Sequence, residues 1–305
     1  MNRAPITKNK TVLAAITCHS FWGMSFMASR VALDAAPVFL VLSHRFLLAF
    51  LLMTLLRFTR LVDCNLRKKA LLPLLLLGLF QPVCYFFGEQ YGLLHSSTIF
   101  SGVMIALIPI AATLAAIPVL GEKPTLRQFA CSLLSVGGVI GIGLLTRSSG
   151  SLDWIGLAGL LLAVFSAMSF LLLARGIADR YTPFERTYAM VCVGALVFSL
   201  LALLTVRGDV AAYLRPLGEH SYRIAIGFLG ICCSVLCFFL SSYVITDLPV
   251  AKASIFANLS TAVSVFVGAV FLHEPFSFVG LICCVLILLG IYGVNAPDTR
   301  SKKKE

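Results

Sequence analysis

The sequence predicts an all-α polytopic membrane protein of ten transmembrane helices, arranged as two inverted five-helix repeats. Three observations predict it. Of the 305 residues 59% are hydrophobic and 12% charged, with a mean hydropathy of +0.98, more apolar surface than a soluble domain buries. The apolar residues fall into runs of the roughly 20 residues needed to cross a hydrocarbon core of about 30 Å. Finally, the chain matches itself when shifted by 152 residues.

The ten runs cover residues 12–33, 38–58, 70–93, 98–120, 126–145, 154–174, 184–205, 223–245, 250–272 and 276–295. They account for nearly the whole chain and leave no soluble domain. The first is too long for a signal-peptide core and lacks a small-residue cleavage site, so it is kept as a helix. If the N-terminus is cytoplasmic, seventeen Lys and Arg lie in segments on that side and five on the other. That bias places both termini in the cytoplasm of a multi-pass protein of the cell membrane, inner or plasma. It also makes the net charge of +11 a topology signal, with no nucleic-acid partner implied. Nine of the ten cysteines lie in the runs and Cys64 in a loop, none at a zinc spacing. They read as small hydrophobes, and neither a metal nor a cofactor is expected.

At the 152-residue offset Gly78 meets Gly230, Phe86 and Phe87 meet Phe238 and Phe239, and Tyr91 meets Tyr243. Leu120 and Glu122 of "LGEKP" meet Leu272 and Glu274 of "LHEPF". The halves are then 1–146 and 150–298, followed by a basic cytoplasmic tail, 299–305. Because five is odd, the second half enters the membrane with the opposite orientation. Such inverted repeats recur in secondary transporters, with the substrate held between the halves.

"FWGMSFMASRVALDAAPVFLVLSHRF" and "IALIPIAATLAAIPVLGE", the latter Ile105 to Glu122, resemble the EamA-like family of the drug/metabolite transporter superfamily. That family shows a Trp-Gly pair in the first helix, then a Pro and an Arg-Phe in the second. Its fourth and ninth helices read as a small-residue stretch, a Pro, then Leu-Gly-Glu. The second copy here departs, with Thr261 where the Pro would stand and His273 in place of the Gly. The resemblance covers essentially the whole chain. It implies a secondary-active transporter, typically an exporter, of small organic metabolites, amino-acid-like compounds or drugs, without fixing the substrate.

An ionisable side chain inside a membrane costs on the order of 2.5–3.5 kcal/mol on insertion scales, so it usually faces a partner or a wet cavity. Glu89, in "PVCYFFGEQYG", is the proton-coupling candidate. Arg45 and Arg30 share its level and are candidates to anchor an anionic group of the substrate. Gln81 and Tyr85 form a helical stripe with Gly88 and Gly92, and Ser254, Asn258 and Thr261 form another on the ninth helix. Trp22, Tyr91 and Tyr243 are candidates to stack on an organic solute. Pro82 and Pro109 each remove a backbone donor within an apolar run, which makes them hinge candidates. Glu122 and Glu274 stand just before the next helix and read as structural loop caps. The short loops that carry them predict helices 4–5 and 9–10 as tight pairs, for a scaffold or a homodimer surface.

No G-x-x-x-x-G-K-[ST] loop is present, so ATP hydrolysis does not drive transport directly. Proton coupling through Glu89 remains, as does exchange of one solute for another. An alternative is an exchanger or importer of a cofactor-like solute such as an adenosyl compound or nucleotide sugar. An intramembrane enzyme is disfavoured, because H-E-x-x-H, G-x-S-x-G and paired intramembrane aspartates are missing. A membrane-embedded receptor or scaffold is a third reading; the absence of a soluble output domain argues against signalling, and ligand binding without transport would favour it.

Overall fold

Backbone amides in hydrocarbon find no water, so apolar runs of this length must close their hydrogen bonds internally, as helices. The structure, a computed structural model, describes residues 8–59, 62, 64, 69–95, 104–145, 154–271 and 278–296, and no strand occurs among them. The helices are α1 (Lys8–Ala35), α2 (Val38–Phe58) and α3 (Leu72–Gly78), which runs through a π-helical stretch, Leu79–Cys84, into α4 (Tyr85–Leu94). Then come α5 (Ile108–Leu120), α6 (Leu126–Leu145), α7 (Trp154–Gly176), α8 (Pro183–Thr205) and the short α9 (Val210–Leu214). Next, α10 (His220–Gly227) passes through a second π-helical stretch, Phe228–Leu236, into α11 (Cys237–Asp247). The chain closes with α12 (Val250–Ser254), α13 (Ala257–Phe271) and α14 (Phe278–Asn295). Among the described residues eight helical spans are long and apolar enough to cross a membrane. The other two expected spans, 98–120 and 126–145, fall on the shorter apolar helices Met104–Leu120 and Leu126–Gly141.

The side chains are sorted for a bilayer rather than for water. Leu51, Leu55, Phe58, Leu204, Phe266 and Leu289 are exposed, whereas Arg45, Glu185, Arg186, Asn258 and several serines are buried. Polar groups inside and apolar groups outside suit a protein whose surroundings are lipid.

Helix packing joins the two halves of the chain. α1 packs on α11 and α13, α2 on α8 and the second π-helical stretch, α4 on α7, and α5 on α7 and α12. The tightest seam joins α6 to α14. A Cβ placed on Gly138 would lie 2.6 Å from the Cys283 carbonyl oxygen, and one on Gly290 2.6 Å from that of Cys131. Neither distance is tolerable, so glycine is what lets these backbones touch. This corrects the expected hairpin pairs. Among the described residues the contacts of α5 with α6 and of α13 with α14 are slight, and α6 packs on α14 instead.

The end of the bundle that holds the start of α1 and the start of α8 is laced with polar ties. Thr182 and Glu185 form a reciprocal cap at the start of α8, with Pro183 at its first position. Glu185 also pairs with Lys69 Nζ at 2.6 Å. Thr11 Oγ1 donates to Asp247 Oδ2 at 2.9 Å, and the Tyr181 hydroxyl donates to the Ala70 carbonyl at 2.6 Å.

Candidate functional site

Arg45 is the centre of the site. It sits on the inward face of α2 with 6% of its surface exposed. Its Nε donates to Ser234 Oγ at 2.6 Å, and its guanidinium lies over the rings of Phe46 and Phe86, 5.5 and 5.3 Å from their centroids. The two terminal nitrogens make no hydrogen bond and no ion pair among the described residues. Buried arginines are ordinarily matched to carboxylates, so this one presents unspent positive charge and directional donors. Glu89, on α4, is its electrostatic neighbour beyond ion-pair reach. The Tyr85 hydroxyl, one turn away, donates to Glu89 Oε1 at 3.0 Å.

Both π-helical stretches border this site. Gln81 leaves helical geometry, at φ −142° and ψ 119°, and the Gln81–Pro82 peptide is cis. In the other stretch Ser234 serves Arg45, and the Cys233 carbonyl accepts the Trp22 indole N–H at 3.2 Å. Irregular backbone at membrane depth survives where protein groups satisfy it, as the Trp22 indole does for the Cys233 carbonyl. Trp22 also meets His19 edge-on at 5.0 Å and Phe238 at 5.7 Å. His19 and Ser260 are linked across α1 and α13.

The family model of the EamA-like transporter family matches residues 9–144 and matches again at 153–296. The chain belongs to the EamA-like transporter family. It is 33% identical over 297 residues to the Bacillus subtilis protein named "Uncharacterized transporter YcxC", covering 96% of this chain and 95% of that one. An Archaeoglobus fulgidus protein named "Uncharacterized transporter" is 24% identical, covering 93% of this chain and 97% of its own. A protein known from its crystal structure shares the fold, with a TM-score of 0.79 at 18% identity over 95% of this chain and 97% of that one. As an EamA-family chain with many apolar helices, it is a multi-pass membrane protein from a family of transporters.

Within this EamA fold the remaining residues singled out by sequence fall in several places. Arg30 and Tyr91 are exposed, the Tyr91 ring lying against Phe87 at 4.5 Å. Tyr243 is half-buried against the main apolar core. Ser254 is buried at the end of α12, its hydroxyl without a partner among the described residues. Asn258 is buried on α13, and its amide donates to Ser135 Oγ of α6 at 3.1 Å, which accounts for that polar group. Thr261 is half-buried one turn further on, and its carbonyl accepts the Ser264 hydroxyl. Pro109 lies in the first turn of α5, where its carbonyl accepts the Thr113 hydroxyl at 2.7 Å. Gly88 and Gly92 face α7, against Gly159 and Leu160, so that half of the α3–α4 stripe is a packing seam. Glu274 lies outside the described residues.

Glu122 meets a helix N-terminus, though not that of the helix following it. Its two oxygens accept the Val250 N–H at 3.1 and 2.8 Å, at the start of α12 in the other half. Arg175 stands 3.7 Å away and also donates to the Ile245 carbonyl at 3.0 Å. Burial pushes the Glu122 carboxyl above the usual carboxylate range, more than the Val250 N–H and Arg175 draw it down. The folded chain therefore holds this proton more tightly than the unfolded chain. The linked stability is fully present below the ordinary carboxylate value and is lost as pH rises through the raised one. Thermal unfolding in detergent between about pH 4 and pH 7 should show this slope, and Glu122→Gln should lack it.

Sequence reading missed Ser234 and Arg175. Ser234 falls opposite Pro82 at the 152-residue offset, so the self-match marks the position although a serine there looks ordinary.

Proposed function

We propose that the chain is a secondary-active transporter of small organic solutes that carry an anionic group, amino-acid-like compounds among them. Arg45 takes the anionic group and Glu89 couples movement to protons. The observation that carries this reading is the buried guanidinium of Arg45, which makes no ion pair with a carboxylate among the described residues. A solute bearing an acid group supplies that charge, and Phe46 and Phe86 form the apolar wall beside it.

The transport cycle is alternating access of two inverted five-helix halves, with both termini cytoplasmic in a cell membrane. Three observations support this arrangement. The family model matches once in each half. The cross-half packing keeps its pattern when the halves are exchanged, α1 on α11 and α13 answering to α7 on α4 and α5. The pairs Gly138–Cys283 and Gly290–Cys131 interchange at the 152-residue offset. The ties of Glu122 to Val250, Thr11 to Asp247 and Lys69 to Glu185 are those that must part for the terminal end to open.

Counterflow of labelled amino acids, polyamines, nucleotides and lipophilic cations in liposomes tests the reading. An acid-bearing solute should exchange. Glu89→Gln should abolish its accumulation under a pH gradient; undiminished driven uptake would sink the proton-coupled form. Strict dependence on a solute loaded on the far side, with no proton movement, would favour the exchanger reading.

A further inference from the structure

A cavity of about 330 Å³ lies between α2, α10 and the segment around Tyr213 and Leu217, and neither Arg45 nor Glu89 lines it. Its walls are aliphatic, from Leu48, Leu51, Leu214 and Ile226, and it opens at the surface, where Leu51 is 63% exposed. Two of its lining residues are of another kind. Arg223 is exposed at the start of α10, its Nη1 donating to the Leu217 and Gly218 carbonyls at 2.8 and 2.9 Å. These bonds hold the guanidinium at the cavity while leaving its other nitrogens without a carboxylate among the described residues. His44 is buried, with Nδ1 2.7 Å from the Tyr222 hydroxyl and its ring against Tyr213 at 4.7 Å. Its Nε2 is buried with no hydrogen bond of good geometry among the described residues.

Along α2, at about 1.5 Å per residue, His44 precedes Leu51 by roughly 10 Å. The cavity thus has a cationic part at Arg223 and, further along α2, an aliphatic end that opens at Leu51 on the surface. That polarity is the polarity of a lipid. We propose that the cavity is a specific site for an anionic glycerophospholipid, independent of the transport reading. Its phosphate pairs with Arg223, and one acyl chain lies along Leu48 and Leu51. His44 and Tyr213, whose rings meet edge-on at 4.7 Å, form the wall beside the headgroup. A headgroup of net negative charge fits Arg223 better than a zwitterionic one, which brings its own cation.

The test is native mass spectrometry of the full chain in detergent, with phosphatidylglycerol, phosphatidylcholine or glycerol phosphate added. We expect one phosphatidylglycerol molecule retained at gas-phase energies that strip phosphatidylcholine, and no retention of glycerol phosphate. Arg223→Gln should weaken that retention about five-fold, the weight of one cationic side chain on an anionic lipid. Leu51→Trp, which fills the aliphatic end from an exposed position, should abolish it without changing the lipid-free unfolding temperature. Should Arg223→Gln fail to fold, Leu51→Trp decides alone. Equal retention of both lipids, or full retention in Leu51→Trp, would overturn the site in favour of ordinary annular lipid. Binding of glycerol phosphate alone would overturn it in favour of a free-phosphate site.

Discussion

Replacing Arg45 by Gln is expected to weaken solute binding roughly ten- to hundred-fold, the worth of a hydrogen bond to a charged group. The unfolding temperature of the solute-free protein should change little. A buried charge with a single serine bond and no ion pair among the described residues contributes little net stability, since its desolvation offsets what Ser234 and the flanking rings return. Solute titration and thermal unfolding on the same detergent preparation check both halves of this expectation. A fall in stability as large as the fall in binding would make Arg45 a structural group.

Arg186 should behave in the opposite way. It is fully buried at the start of α8, and its guanidinium donates to the Ala174 carbonyl at 2.8 Å, the Ser242 carbonyl at 2.6 Å and the Thr246 hydroxyl. These acceptors lie on α7 and α11, so one side chain joins three helices. Arg186→Met removes the one side chain that ties these three helices together by hydrogen bonds to the Ala174 and Ser242 carbonyls, and should destabilise the fold by about 3–5 kcal/mol. Chemical unfolding of the purified variant measures this, with yield of folded protein by size exclusion as a second readout. Solute affinity of the surviving folded protein should match wild type. Two buried arginines, one bonded to carbonyls and one without an ion pair among the described residues, should thus divide into scaffold and site.

What the sequence revealed follows from the kind of information each feature carries. Helical spans were legible because a bilayer imposes a length and an apolar composition that any chain must meet locally. Arg45 and Glu89 were legible because ionisable groups are costly there and stand out against leucine. Their surroundings were not legible. Ser234 lies 189 residues from Arg45, Ser135 lies 123 from Asn258, and Val250 lies 128 from Glu122. Nothing local in the chain announces such pairs. The stripe through Gly88 and Gly92 shows the same limit, because a small residue serves a close helix contact as well as it serves a cavity. Glu122 was recognisable as an acid suited to a helix N-terminus, but only the fold says which helix. The α6–α14 seam was present in the glycines at the 152-residue offset, yet short loops drew attention to the wrong partners.

The two arginines and Glu89 meet in one measurement. Liposomes loaded with a pH-sensitive dye and carrying wild type, Glu89→Gln, Arg45→Gln or Arg186→Lys would be challenged with each solute that shows counterflow. The account predicts a solute-dependent proton flux in wild type that is lost in Glu89→Gln and in Arg45→Gln. It predicts that flux at a normal rate per folded molecule in Arg186→Lys. Proton flux that persists in Glu89→Gln, or solute movement untouched in Arg45→Gln, would contradict it.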